Sequence, residues 1–145
     1  MADILTRADF EPVLAAFLRN QAMLLFQWGE RDCGLIQADW VVATGRPDPA
    51  AAVRGRYDSA ETCLEVCGAP DYQTAIAAIA DGAGLPRIDN PWAGDIGILD
   101  VPNVGPLGGI MTVGGSWAFR TSRGITWSRM APGRLIQAWE VIAHA

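Results

Sequence analysis

The chain has 145 residues, half of them hydrophobic and 19% charged, with a net charge of −5, a composition that fits one packed domain over residues 1–145 with little polar surface to spare. Its 11 basic residues are all arginine, scattered from Arg7 to Arg134 without forming a basic run, so the clustered positive charge that a nucleic acid partner needs is missing. No apolar stretch approaches the roughly 18 residues required to cross a bilayer, and no membrane span is expected.

The opening MADILTRADFEP carries acidic residues where a secretory signal has a basic and then apolar start, so the expectation is a chain made in the cytoplasm. Three cysteines, an odd number without an export signal, are then expected to be reduced thiols.

Phe10, Val13, Leu14, Phe17 and Leu18 recur at steps of three and four, which predicts an amphipathic helix from about Arg7 to Leu25. A second helix is predicted after GERD, with Asp32 as its N-cap, Leu35, Ile36, Trp40 and Val41 as its buried face, and Thr44-Gly45 as its end. The segment GRPDPAAAVRGRYD is rich in Pro, Gly and Arg and reads as a connection. Asp58 and Glu61 have capping-box spacing for a short helix through Val66 that stops at Gly68. A last, alanine-rich helix is predicted over DYQTAIAAIADG, with Asp71 as its cap.

The pattern changes near residue 90. DIGILDV, GGIMTVGG, SWAFRTS, GITWSRM and LIQAWEVIA are short, rich in β-branched and aromatic residues, and separated by Gly, Pro or Ser, as strands of an antiparallel meander would be. The last of these also fits a helix, because Leu135, Ile136, Trp139 and Ile142 recur at steps of three or four. Helices first and strands second in one small domain predict an α+β fold, N-terminal helices packed on a C-terminal antiparallel sheet.

Cys33 follows Asp32 at the predicted start of the second helix. There the unsatisfied N–H groups and the helix dipole lower a thiol pKa, from about 8.5 toward roughly 3.5 to 7.5 in reactive cysteines. The placement suits a nucleophile. Asp32 opposes it, and a cysteine hydrolase also needs a base to share the proton and protonate the leaving group.

Trp28, Gly29, Asp32, Cys33, Gly34 and Leu35, followed by AGDIGIL and LGGIMTVGG, resemble the NlpC/P60 papain-like cell-wall peptidases. More narrowly, FQWGERDCGLIQADWVVATGRPDPAAAVRGRYDS with a closing RGITW and AWEV resembles the NlpC/P60-related proteins encoded in phage and prophage tail modules, over about Phe26 to Val141. The resemblance implies a papain-like fold with Cys33 at the nucleophile position. It also implies a histidine base in the stretch matching LGGIM and a polar orienting residue about a dozen positions on. Those places hold Leu107 and Phe119. Shifting the match by one or two residues brings up Gly105, Pro106, Gly108 or Gly109, none ionisable. The one histidine, His144, lies at the C-terminus, where a surface position is expected.

Cys33, Cys63, Cys67 and His144 add up to a Cys₃His set on paper, but Cys63 and Cys67 fall within a predicted helix instead of a knuckle turn, so no metal and no cofactor is expected. Asp95 is expected to hold a turn or helix end, and Trp28 and Trp40 to wall the groove around Cys33. The resemblance therefore implies a structural or assembly component of a phage or prophage tail, at the tip or hub, on an idle peptidase fold. Its partners would be other tail proteins, and its place the virion after assembly in the host cytoplasm. The alternative is a peptidoglycan-cleaving cysteine peptidase acting in tail assembly or cell-wall penetration.

Overall fold

The computed structural model describes residues 4–144. Four helices, α1 (Phe10–Ala22), α2 (Leu35–Ala43), α3 (Ala60–Cys67) and α4 (Tyr72–Gly82), precede six strands. The strands are β1 (Arg87–Ile88), β2 (Ile96–Val101), β3 (Gly105–Met111), β4 (Trp117–Thr121), β5 (Gly124–Ser128) and β6 (Leu135–Trp139). They form one sheet in the order β1-β6-β2-β3-β4-β5, and every pairing is antiparallel. The expected α+β architecture is therefore the architecture of the molecule. Among the described residues no helix is long and apolar enough to cross a membrane.

β2 to β5 make the meander read from the sequence, but β6 departs from it. After a 3₁₀ turn at Pro132–Arg134 the chain returns across the sheet and inserts β6 between β2 and the short strand β1. The segment left open between strand and helix is thus a strand. Its mixed periodicity has a cause: the register against β2 shifts between Ile98 and Leu99, and such an irregularity breaks strict alternation.

The sheet has two apolar faces. Ile96, Ile98, Ile110, Ala118 and Trp139 pack with Phe10, Leu14, Ile36, Trp40 and Ile76 of the helices as the main core. On the other face Leu99, Trp117 and Phe119 gather Leu107, Met111 and Leu135 into a smaller cluster.

Helix ends follow local chemistry. α1, at Phe10–Ala22, is shorter at both ends than the expected Arg7–Leu25. Arg120, buried on β4, donates from Nη1 to the carbonyl oxygens of Gln21 and Leu24, both at 2.9 Å, and from Nη2 to Gln21 Oε1. A cation there satisfies orphan carbonyls and opposes the negative end of the dipole. At α3 the capping box is made by Ser59 and Thr62, not by Asp58 and Glu61, and Gly68 closes the helix in the left-handed region at φ 64°. Asp71 caps α4 through the Thr74 N–H at 2.7 Å, as expected.

One polar side chain ties helices to sheet. Gln37, buried in α2, donates from Nε2 to the carbonyl oxygens of Gly97 on β2 and Gly109 on β3, both at 2.9 Å. Glycines make this approach feasible: a Cβ on Gly108 would lie 2.4 Å from Gln37 Oε1. Gly108→Ala is therefore expected to destabilise the fold by about 1–3 kcal/mol through overpacking. Urea unfolding checks it, and adding Gln37→Ala should recover part of the loss, as coupled neighbours do.

Candidate functional site

Cys33 lies between the turn Gly29–Asp32 and the first regular turn of α2. Although the helix is regular only from Leu35, its start is organised by Asp32, whose carbonyl accepts the Ile36 N–H at 3.2 Å. The Asp32 side chain is buried and takes four donors: the N–H groups of Gly34 (3.1 Å) and Leu35 (2.9 Å) on Oδ1, and the Gly29 N–H (3.0 Å) and Tyr57 hydroxyl (2.6 Å) on Oδ2. The N-cap position expected at Asp32 falls instead on Gly34, which offers no side chain, while Asp32, two residues earlier, supplies the carboxylate for the N–H groups of Gly34 and Leu35. The turn itself requires Gly29, which sits at φ 82° with the Tyr57 carbonyl 2.2 Å from where a Cβ would be.

Placed just before the first turn of α2, the Cys33 thiol is nevertheless not activated. The residue is only 8% exposed, and its pKa is raised from 9.0 to about 11. Burial is the main cause and the Asp32 charge adds to it, while the Tyr72 hydroxyl and the N–H groups of Cys33 and Gly34 pull less strongly the other way. Desolvation outweighs the helix terminus. Tyr72 gives no help as a base: its hydroxyl is buried against the thiol, has no partner in good hydrogen-bond geometry, and is held well above its ordinary pKa by burial and then by the thiol.

The expected base positions lie elsewhere. Leu107 packs with Leu99, Trp117 and Phe119 on the sheet face away from the helices, and Phe119 belongs to the same cluster. The neighbouring β3 residue, Gly108, points the other way, toward α2, where Gln37 fills the space a side chain would need. His144 is bonded to Asp95, Nε2 to Oδ2 at 2.6 Å, and stacks on Trp92 with ring centroids 4.0 Å apart. That corner is reached from the last turn of α2, where the Trp40 indole N–H donates to the Gly94 carbonyl oxygen at 2.8 Å. Cys33 precedes the first turn. The structure thus brings Cys33, Asp32 and Tyr72 together and leaves Leu107, Phe119 and His144 apart from them.

Asp95 holds more than one turn. It is fully buried and accepts the N–H groups of Trp92 (2.8 Å), Val141 (2.9 Å) and Ile142 (3.4 Å) as well as the His144 contact. It joins the approach to β2 to the C-terminal segment. Trp28 packs with Phe26 and Tyr57 near the Asp32 turn, but Trp40 does not wall the thiol. It is wholly buried in the main core against Phe17.

Cys63 and Cys67 pack in the cluster of Leu35, Ala38, Ala50 and Tyr57. Burial, with Cys67 beside it, pushes the Cys63 thiol up to about 12. Among the described residues, no three His, Cys, Asp or Glu side chains come together as metal ligands. An apolar cavity of about 40 Å³ lies among Leu35, Ala38, Val53, Tyr57, Cys63 and Ile76, room for a water or two and not for a peptide. Cys33 does not line it.

The family model described as "Domain of unknown function (DUF6950)" matches residues 6–141. The chain belongs to the DUF6950 family. No curated protein and no solved structure matches it. The match takes in all the elements that build the Asp32 turn, from α1 to β6 of this DUF6950 chain.

Sequence reasoning missed Gln37 and Tyr72. One signal for Gln37 was available: a lone amide in the apolar run LIQADWVV, facing strands with Gly97, Gly108 and Gly109.

The folded thiols keep their protons up to about 11 for Cys33 and about 12 for Cys63, whereas unfolded thiols release theirs near 9.0. Above pH 9 the folded state therefore binds more protons than the unfolded state, and stability falls as pH rises. The expected outcome is full stability below pH 9 and a decline through pH 11, measured by urea midpoints, with Cys33→Ala flattening the slope. Asp32→Ala should cost on the order of 3 kcal/mol or more, since it strands several buried donors. Tyr57→Phe should cost about 1–2 kcal/mol in the same assay.

Proposed function

We propose that the protein is a structural or assembly component of a phage or prophage tail, at the tip or hub, on a peptidase-like scaffold whose thiol site does no chemistry. One observation carries the idle site: in the expected base stretch the residues on the helix side are Gly108, whose side-chain space Gln37 occupies, and Ile110, which is buried in the main core, and the Cys33 thiol itself is buried, which raises its pKa. Without a base, the factor of about 10² to 10⁴ that general acid–base catalysis supplies is lost, and a leaving amine has no proton donor. Tail location rests on the resemblance of the Trp28–Leu35 region and the closing strands to tail-module proteins.

The surface supports burial against neighbours. Met23 and Leu25 are 83% and 78% exposed after α1. Their turn is fixed from below by Arg120 on the Leu24 carbonyl and by Arg31 Nε on the Leu25 carbonyl at 2.9 Å. An apolar turn held rigidly outward loses little conformational entropy on docking, which favours a packing role. The partners in this reading are other tail proteins, and the final location is the virion.

Three measurements test the reading. Purified protein incubated with muropeptides should give no turnover, and Cys33 in the folded protein should resist iodoacetamide near pH 7. Mass spectrometry of purified particles should find the chain as a resident subunit. Rapid alkylation near pH 6, together with turnover abolished by Cys33→Ser, would return the protein to the cysteine peptidases.

A further inference from the structure

The arginines are scattered along the sequence and the first 56 residues mix both signs of charge, yet two later blocks each hold one sign alone. Residues 101–139 hold four arginines and no acidic residue, whereas residues 57–86 hold five acidic residues and no basic one. The first block supplies β3 to β6, and the second supplies α3 and α4. These blocks lie on different flanks. β5 is the outer strand of the sheet and packs on α1, while α3 packs on α4.

Not every charge in these blocks is free. Arg120 is buried beneath α1, Arg134 reaches Asp100 at 3.5 Å, and Asp81 is paired with Arg87 at 2.6 Å. Among the described residues, Arg123 and Arg129 have no ion-pair partner. The same holds for Asp58, Glu61, Glu65 and Asp71. All six are exposed. Arg123 stands in the turn before β5 and Arg129 just after it, so they bracket the strand at a separation of about 20 Å along an extended chain. Glu61 and Glu65 are four apart on α3 and therefore share a face, with Asp58 before it and Asp71 beyond it.

Exposed apolar side chains lie near both charged blocks. Trp127 and Val113 are 50% and 58% exposed beside β5, where they border a depression of about 310 Å³ between the strand and α1. On α3, Val66 is exposed but turns from the Glu61–Glu65 face toward a separate depression that it borders with Arg46 and Ala78. The depression beside β5 is itself bordered by Glu11 and Arg19, so the complementarity lies in the charges: a helix face with four unpaired carboxylates and a strand bracketed by two unpaired arginines, on separate sides of one molecule, match each other and not themselves.

We propose that the protein associates with further copies of itself head to tail, the Asp58–Asp71 face of one copy seated on the Arg123–Arg129 edge of the next. Such a contact is heterologous, and repetition closes into a ring or runs on as a helix according to the rotation per copy. It draws on charge, so it is weak and strongly salt-dependent. The inference does not rest on the tail reading, since it uses none of the thiol site.

The test is sedimentation of the full chain over a range of concentrations at low ionic strength, where the Debye length is about 30 Å, and near 1 M salt, where it is about 3 Å. Concentration-dependent assembly is expected at low salt and monomer at high salt. Arg123→Glu with Arg129→Glu, and separately Glu61→Arg with Glu65→Arg, should each leave a monomer at low salt. Mixing the two variants should restore assembly, because every contact between unlike copies is again complementary. The neutral versions, Arg123→Gln with Arg129→Gln and Glu61→Gln with Glu65→Gln, serve if a reversal disturbs folding, and should weaken association about tenfold or more. Three results overturn the proposal: a monomer at low salt at every concentration, assembly that survives high salt and both sets of changes, or mixed reversals that fail to reassociate.

Discussion

The buried carboxylate of Asp32 is the constraint from which the helical half of the molecule is organised. A charge out of water is tolerated only when donors surround it, and here two come from the first turn of α2, one from the tight turn at Gly29, and one from Tyr57 in the connecting segment. Three pieces of chain are drawn to one point. The same convergence buries the neighbouring thiol, so the arrangement that places Cys33 at a helix start also denies it the solvation and the partner that would make it reactive.

Gln37 completes that outcome one turn later. Its amide spans β2 and β3 where the glycines let the helix come close, locking helix to sheet. A site closed by a buried amide and a missing Cβ is consistent with a scaffold kept for its shape, and the apolar turn at Met23–Leu25 and the segregated charges at β5 and α3 are features of the same kind, directed outward.

How much of this could be read in advance depended on whether a residue's role was local. The Asp71 cap, the Gly68 stop and the four helices follow from side chains acting within a few positions, and they stand where the pattern puts them. The replacement of Asp58 and Glu61 by Ser59 and Thr62 as a capping box is a one-residue slip between two acceptable solutions. Non-local roles were hidden. That β6 returns to sit beside β2 is fixed by pairing across the sheet, and Trp40 faces the main core because Gly94 offers it a carbonyl. At the thiol, identity and position were legible, including the absence of an ionisable residue in the matching stretch. The means of closure was not, since Gln37 and Gly108 are separated by about half of the chain.

The corner built on Asp95 bears on how the domain can be joined to anything else. Arg7 Nη2 donates to the Ile142 carbonyl oxygen at 2.9 Å and Nε to that of Ala143 at 3.4 Å, with its guanidinium over the rings of Phe10 and Trp92. Polypeptide entering at α1 and polypeptide leaving after β6 therefore share a single doorway. A fused label or neighbouring module on either side would hang from this one spot, and a short linker across it would give a circularly permuted chain whose new ends could be opened in a surface loop.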